Sequence, residues 1–495
     1  MSLLRAELAQ WRASPARELM AGAVATFALI PEVIAFAFVA GVDPQVGLFA
    51  SFVIGIVIAF CGGRPAMISA AAGSVALVAA PLVAVHGLPY LLAAGLLAGA
   101  VQILFGLLRL GVLMRFVSSS VRTGFVNALA VLIFAAQLPH LLGANLASWA
   151  MLGAGLAIIY GLPRLRIPGL SAIPSPLLCI LLLTIAGSVL QLPLKTVADL
   201  GKLPTALPFL QWPAVPLTLE TLRIIALPAL AIAMVGLLES LMTARVVDEL
   251  TDTPSDKNRE CTGLGLANAA ASLFGGIAGC GMIGQTVGNV KYGGRGRLST
   301  LFAGVFLLIL MVLLKPWVSQ VPVVALVAIM VMVSAETFDW RSLRTVVTHP
   351  RTSSVVMLAT VAVTLATDNL AAGVAVGVVL SGVFFTFKVA GLLQITHDDG
   401  ADGVRTYNVR GQVFFASADV FIDAFDARQV PGRRVVIDVG RAHFWDITAV
   451  AALDKVVQRL RHHELEVQVK GLNAGSRRLM QAHALGEDAL ESALP

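Results

Sequence analysis

The sequence predicts an all-α, polytopic membrane domain followed by a small α/β domain. Of its 495 residues, 57% are hydrophobic and only 13% are charged, about half the charged share of an ordinary soluble domain. Apolar runs recur from Glu18 to about Leu393 with short loops between them. After Gln394 the pattern changes to polar segments with alternating strand and helix periodicity. One soluble core cannot absorb so little charge in so long a chain, so most of it must face lipid or pack between helices.

A helix needs about 20 apolar residues to cross the hydrocarbon core. Such stretches fall near 18–40, 45–62, 72–86, 89–109, 119–139, 142–161, 172–191, 223–246, 260–277, 282–292, 298–314, 321–338, 352–368 and 370–392, fourteen in all. An even count puts both termini on one side. One face then receives nineteen Lys and Arg residues and the other only Lys195, Lys202, Arg223 and Lys315. That asymmetry places both termini in the cytoplasm. It also accounts for a pI near 9.3 without nucleic-acid binding, because the basic residues are scattered between apolar runs. The first nineteen residues, MSLLRAELAQWRASPAREL, are amphipathic and lack a cleavable apolar core, so the first span reads as an uncleaved insertion signal.

The shortest two stretches stand third in each set of seven. They follow CGGRPAMISAAAGS (61–74) and GGIAGCGMIGQ (275–285). Paired glycine-interrupted helices at matching places mark an inverted-repeat transporter. Repeat one is expected at about 18–192 and repeat two at about 223–393. The N–H groups that begin a half-helix have no intrahelical partner, and the helix dipole puts positive potential there. Two such ends meeting near the midplane make an anion site without Lys or Arg. Ala71, Ala72, Gly73 and Ser74 are expected at one end, with Cys280, Gly281, Met282, Ile283 and Gln285 at the other. Close helix packing would equally use glycines, as GLLAG (95–99) and GVAVG (373–377) are expected to do.

Two carboxylates lie deep in apolar runs, Glu32 and Glu239. Charged groups at that depth are costly and usually serve a pathway or a proton relay; snorkelling to the interface or a structural partner is the plainer alternative. Glu32 precedes Gly73 by 41 residues and Glu239 precedes Cys280 by 41, which pairs a carboxylate with a helix break in each half. Glu336 lies near a helix end and reads as structural. Ser240, Thr243, Gln285 and Asn289 suit substrate contact or interhelical hydrogen bonding equally. Cys61, Cys179, Cys261 and Cys280 form no CxxC pair and have no neighbouring histidine, so neither a metal site nor a disulfide framework is expected. No nucleophile–base pair can be assembled either, and an enzyme is not expected.

Residues 1–17 read as a cytoplasmic segment, 18–393 as the membrane domain, 394–403 as a polar linker and 404–495 as the α/β domain. Strands are predicted at 404–416, 433–440 and 464–472. Helices are predicted at Ala418–Arg428, Thr448–His462 and Gly475–Ala484.

LMAGAVATFALIPEVIAFAFVAGVDPQVGLFASF (19–52) resembles the first-span signature of the SulP family, the sulfate permeases or solute carrier 26 proteins. So does the segment 237–300, with its ES, NRE, GLANAAASLFGG and GGRGR in order. The C-terminal region resembles a STAS domain. The resemblance implies fourteen segments in a seven-plus-seven inverted repeat, core and gate subdomains, an elevator-like movement, homodimers, and an anion held between the third and tenth segments. Many members have Ser-Arg where this chain has Gly284-Gln285, and a proline where Ala71 stands. Sodium-coupled bicarbonate members carry Asp near Glu239. Glutamate there, with Glu32, points to proton rather than sodium coupling and to the bacterial dicarboxylate branch, with no cofactor. Thr448 matches the phosphorylatable position of stand-alone STAS proteins; the plainer alternative is that Asp446 simply caps that helix.

The expectation is therefore a multi-pass protein of the inner (plasma) membrane. It would import a small anion, a carboxylate or dicarboxylate such as fumarate, with protons. Glu239 is assigned the main coupling role and Glu32 a secondary one. Sulfate, bicarbonate or chloride carriage, an exchanger or channel of the same fold, a nucleobase carrier, and a membrane-tethered STAS scaffold are the alternatives.

Overall fold

The computed structural model describes residues 14–112, 117–142, 144–165, 175–199, 208–313, 315–348, 350–367, 369–400 and 403–482. The chain divides into two compact units between Val378 and Val379. In the first, helices run over α1 (Pro15–Val39), α2 (Pro44–Cys61), α3 (Gly73–His86), α4 (Leu88–Leu107), α5 (Ser119–Ala135), α6 (Leu146–Gly161) and α7 (Ser175–Val189). They continue with α8 (Leu219–Thr251), α9 (Lys257–Leu273), α10 (Ile283–Lys291), α11 (Arg297–Leu313), α12 (Val323–Thr337) and α13 (Arg351–Thr367), and α14 (Leu370–Ala390) runs across the division. Each of the fourteen apolar stretches overlaps one of them, and a further nine-residue helix runs over Trp340–Thr348. Among the described residues, eight helices are long and apolar enough to cross a membrane; α3, α7, α11 and α13 are shorter apolar helices.

Local chemistry sets the starts. Proline occupies the first turn of α1, α2 and α4, where its missing N–H costs nothing. Ser118, Asn145, Thr218 and Asp256 cap α5, α6, α8 and α9 by accepting first-turn N–H groups. The caps explain why α6 begins at Leu146, after the predicted 142, and α8 at Leu219, before the predicted 223.

The helices pack as two groups drawn from both halves of the chain. α9 lies against α4 and α2, α11 against α1 and α2, and α8 against α3 and α4. Separately, α13 lies against α5, and α12 against α5, α6 and α7. Small residues permit the closest approaches. A Cβ on Gly99 of α4 would come 2.6 Å from the Gly265 carbonyl of α9, so GLLAG is a packing motif. Gly373 and Gly377 abut Thr364 and Thr360 of α13 in the same way.

The two breaks meet in a two-stranded antiparallel ladder, β1 (Ser69–Ala71) with β2 (Gly279–Gly281). Ala70 pairs with Cys280 at its centre, flanked by Ser69 with Gly281 and Ala71 with Gly279. α3 begins two residues after β1 and α10 two residues after β2. The break in the second half therefore matches Gly73 with Ile283 and Ala70 with Cys280. The equal spacing of 41 residues in the two halves does not relate Gly73 to Cys280, because strand residues precede each helix start.

Six N–H and C=O groups freed by the breaks find side-chain partners. Ser51 Oγ accepts from Ala71 N at 3.1 Å and Ser240 Oγ from Gly281 N at 2.8 Å. Asn268 accepts from Gly279 N at 2.8 Å and donates to Gly279 O at 3.1 Å. Thr286 Oγ1 accepts from Ile68 N at 3.0 Å, and Thr243 Oγ1 donates to Gly281 O at 2.9 Å. Irregular backbone in a membrane protein needs this kind of satisfaction. The NRE and GGRGR motifs do related work. Glu260 Oε2 accepts from Gly63 N and Arg64 N at 2.8 and 3.0 Å. Arg297 donates to the Ala59 and Gly62 carbonyls at 3.0 and 2.9 Å.

The second unit carries a four-stranded sheet in the order β3-β4-β5-β6. Its strands are β3 (Gln394–Asp399), β4 (Val404–Val413), β5 (Arg434–Phe444) and β6 (Glu466–Lys470). β3 pairs antiparallel with β4, and β4, β5 and β6 run parallel. Helices α15 (Ala418–Asp423), α16 (Ile447–His462) and α17 (Ala474–Ala482) accompany it. The core joins Val409, Ile437 and Val439 of the sheet to Phe421, Phe425, Leu453 and Val457. Two expectations are corrected. The segment read as a linker, 394–403, contains the strand β3: its six strand residues each find a register partner on β4, which outweighs their polarity. The helix expected to Arg428 stops at Asp423, and a separate turn at Ala427–Gln429 is capped by Asp426.

Candidate functional site

A cavity of about 360 Å³ opens where the two half-helices begin. Gly73 and Ser74 of α3 line it from one side, and Met282, Ile283, Gly284 and Gln285 from the other. No side chain caps either helix start, so the first-turn N–H groups are left for a ligand. Ala71, Ala72, Cys280 and Gly281 do not line the cavity. They lie buried in and beside the ladder behind it, where they fix the spacing of the two helix ends.

Glu239 reaches the cavity from α8 and stands at this junction. Its Oε2 accepts from Ser74 Oγ and from Cys280 Sγ, the latter at 3.1 Å. One carboxylate thus ties α8 to the first turn of α3 and to β2. Glu32 lines the cavity from α1. Glu336, expected to be structural, also lines the cavity, because it shares a face of α12 with Val333 and Thr337. Three carboxylates therefore face the space, and among the described lining residues there is no Lys or Arg.

The remaining polar candidates are taken up by structure. Ser240 and Thr243 hold β2, and Asn289 donates to the Ala66 carbonyl at 2.9 Å and to Ser299 Oγ at 3.0 Å. Thr448 is exposed near the start of α16. Asp446 caps that helix by accepting from Ala449 N at 2.9 Å, and its other oxygen accepts from Phe415 N at 2.8 Å.

The apolar wall was missed in the sequence. Phe36, Phe125, Leu129, Ile133, Met242 and Val333 complete it. Helical spacing could have found part of it: Phe36 follows Glu32 by one turn, Met242 follows Glu239 by one turn, and Phe125, Leu129 and Ile133 form one stripe. Phe36 also explains Gly73, since a Cβ there would lie 2.7 Å from the Phe36 ring.

A membrane-embedded helical bundle with a ligand cavity between two half-helix starts has the architecture of a transporter. The pattern of the sulfate permease family matches residues 16–152 and 144–360, and that of the STAS domain matches 396–489. The chain belongs to the sulfate permease family of anion transporters and carries a C-terminal STAS domain; it is a multi-pass membrane transporter and not an enzyme. It is 49% identical over 475 residues to "Putative sulfate transporter YbaR" of Bacillus subtilis (strain 168), covering 96% of this chain and 98% of that one. It is 25% identical over 515 residues to "Bicarbonate transporter BicA" of Picosynechococcus, covering 94% and 90%. The fold matches murine Slc26a9, described as an anion transporter in the inward-facing state, with a TM-score of 0.83 at 17% identity over 97% of this chain and 90% of that one.

Proposed function

We propose that the protein is a secondary active importer that carries a small carboxylate or dicarboxylate, such as fumarate, together with protons. The observation that carries the reading is the cavity itself: two uncapped half-helix starts beside Glu239, Glu32 and Glu336. An ionised carboxylate beside a bound anion in low dielectric is strongly unfavourable. A proton on Glu239 removes that repulsion and travels with the substrate. The apolar wall of Phe36, Phe125, Leu129 and Ile133 favours an anion with a hydrocarbon portion over one hydrated on all sides.

On this reading the fourteen helices form a seven-plus-seven inverted repeat. The group containing α3 and α10 acts as the core, and it moves against the group containing α5 and α12 in an elevator-like step. The basic residues on one face of the span assignment support cytoplasmic termini in the inner membrane, and the protein is expected to work as a homodimer. Sulfate is the second reading, favoured by the name of the 49% identical relative.

Proteoliposome uptake of labelled fumarate under an imposed acid-outside gradient tests the proposal, with unlabelled sulfate and bicarbonate as competitors. Accumulation that collapses with the gradient and is lost in Glu239→Gln is expected. Uptake indifferent to both, or blocked by sulfate but not by dicarboxylates, overturns it.

A further inference from the structure

A second cavity of about 420 Å³ adjoins the first, and Met242 of α8 lines both. Its chemistry is opposite. The transport cavity presents three carboxylates, whereas this one is lined by Arg122 of α5, Arg245 of α8 and Lys257 of α9, with Asp256 beside them.

The partners of these groups show which charge is free. Lys257 Nζ is held by Asp248 Oδ2 at 2.6 Å. Asp256 spends a carboxylate oxygen on the N–H groups of Asn258 and Arg259, each at 3.0 Å. Arg245 uses its Nε on Glu249 at 3.0 Å, an exposed pair of the kind that water screens strongly. The guanidinium of Arg122, half-buried, has no direct hydrogen-bond or ion-pair partner among the described residues; Glu249 acts on it only at longer range. Two guanidiniums on different helices thus converge on a space in which most other charges are already spoken for. A half-buried guanidinium whose N–H groups have no hydrogen-bond acceptor is an unusual expense for a fold, and a guanidinium is suited to holding an oxyanion by parallel N–H donors.

The geometry points to an anion antechamber: Arg122 and Arg245 hold the transported anion, a small carboxylate or oxyanion, and Met242 separates this station from the cavity at the helix ends. The inference rests on the transport reading above. The division of labour follows from the charges. A fixed positive charge at the inner site would oppose protonation of Glu239. In the antechamber it raises the local anion concentration without entering the coupling step. Met242 is an unbranched, pliable side chain, suited to a partition that must yield. Arg122 and Arg245 sit on helices of the two separate packing groups, so the antechamber is complete only while α5 and α8 are in register.

The test uses the full chain in vesicles of neutral phosphatidylcholine, with labelled fumarate and labelled sulfate as probes. Gradient-free exchange is measured at several ionic strengths. Wild type should show a KM that rises with salt. Arg122→Gln and Arg245→Gln should each raise KM, and together by at least about tenfold, with kcat retained and the salt dependence lost. Arg122→Lys and Arg245→Lys should recover most of both, which separates loss of charge from loss of folding. Unchanged KM in the double Gln variant, or a salt-independent wild-type KM, overturns the antechamber. Competition by added phosphatidylglycerol with a wild-type KM insensitive to salt identifies a lipid headgroup site and also overturns it. Collapsing the proton gradient across wild-type vesicles should abolish accumulation yet leave the salt dependence of gradient-free exchange, so failure of proton coupling and failure of the antechamber are read separately.

Discussion

Cys280 Sγ donates to Glu239 Oε2 at 3.1 Å, so the thiol at the centre of the ladder reports directly to the carboxylate in the cavity. Cys280 is fully buried and no other described cysteine is near this site. The bond fixes where Glu239 points relative to the two helix ends. Removing it with Cys280→Ala should slow transport by about five- to tenfold, the worth of one hydrogen bond. Cys280→Ser, which keeps a donor, should lose less. Initial rates in proteoliposomes check both, with surface-expressed amount as the reference.

Gly279 admits no side chain, because a Cβ would collide with the carbonyl of Ala70 on the paired strand. Gly279→Ala should therefore destabilise the membrane unit by about 2 kcal/mol or more. Gly284→Ala is the control, since a Cβ there meets nothing within 4 Å. Thermal unfolding in detergent, followed by size-exclusion recovery, should separate the two variants clearly.

Glu260 is fully buried and accepts two backbone N–H groups from the loop before β1. Glu260→Ala leaves both without a partner and Arg297 beside an apolar gap, which should cost about 3–5 kcal/mol. The same unfolding assay checks it. Loss of stability without any change in proton dependence of the surviving transport is the expected signature of a purely structural carboxylate.

In the C-terminal unit, Asp446→Ala removes both the α16 cap and the tether to Phe415, a loss of about 1–2 kcal/mol. Thr448→Ala, at an exposed position, should change stability by less than about 0.5 kcal/mol. Urea unfolding of the C-terminal unit distinguishes these outcomes. A large effect of Thr448→Ala on transport with none on stability would instead favour a regulatory role.

The hairpin that opens the same unit carries an acid-sensitive pair. Arg405 Nε binds Asp399 Oδ1 and holds that carboxyl below the usual carboxylate range. A depressed folded value means the contribution is present above the unfolded value, near pH 4, and is lost as pH falls through the folded value. Unfolding of this unit should ease below about pH 4, and Arg405→Gln should flatten that part of the profile.

How much could be read from the residues differed by feature. The helices were legible because long apolar runs leave the backbone few other options. The two breaks were legible because glycine and small residues interrupt those runs at matching places. Glu32 and Glu239 stood out for lying in apolar surroundings. Glu336 did not, since two residues from a helix end look like an interface, and only packing of α12 against α1 and α5 turns it inward. The aromatic wall was hidden for the opposite reason: Phe36 and Phe125 look like any membrane-facing phenylalanine. The strand at Gln394–Asp399 was hidden by its composition, because an edge strand exposed on most of its length is held by backbone pairing that no side chain announces.

The pairing of Ala70 with Cys280 has a practical consequence. Neither half of the chain owns a whole binding site; each supplies one helix end and one bare strand edge. Cut between Asp199 and Leu219, the polypeptide would become two fragments, each carrying one strand of the ladder and part of the cavity lining. Split halves of the present protein should find one another through this three-residue stitch and the helix contacts around it.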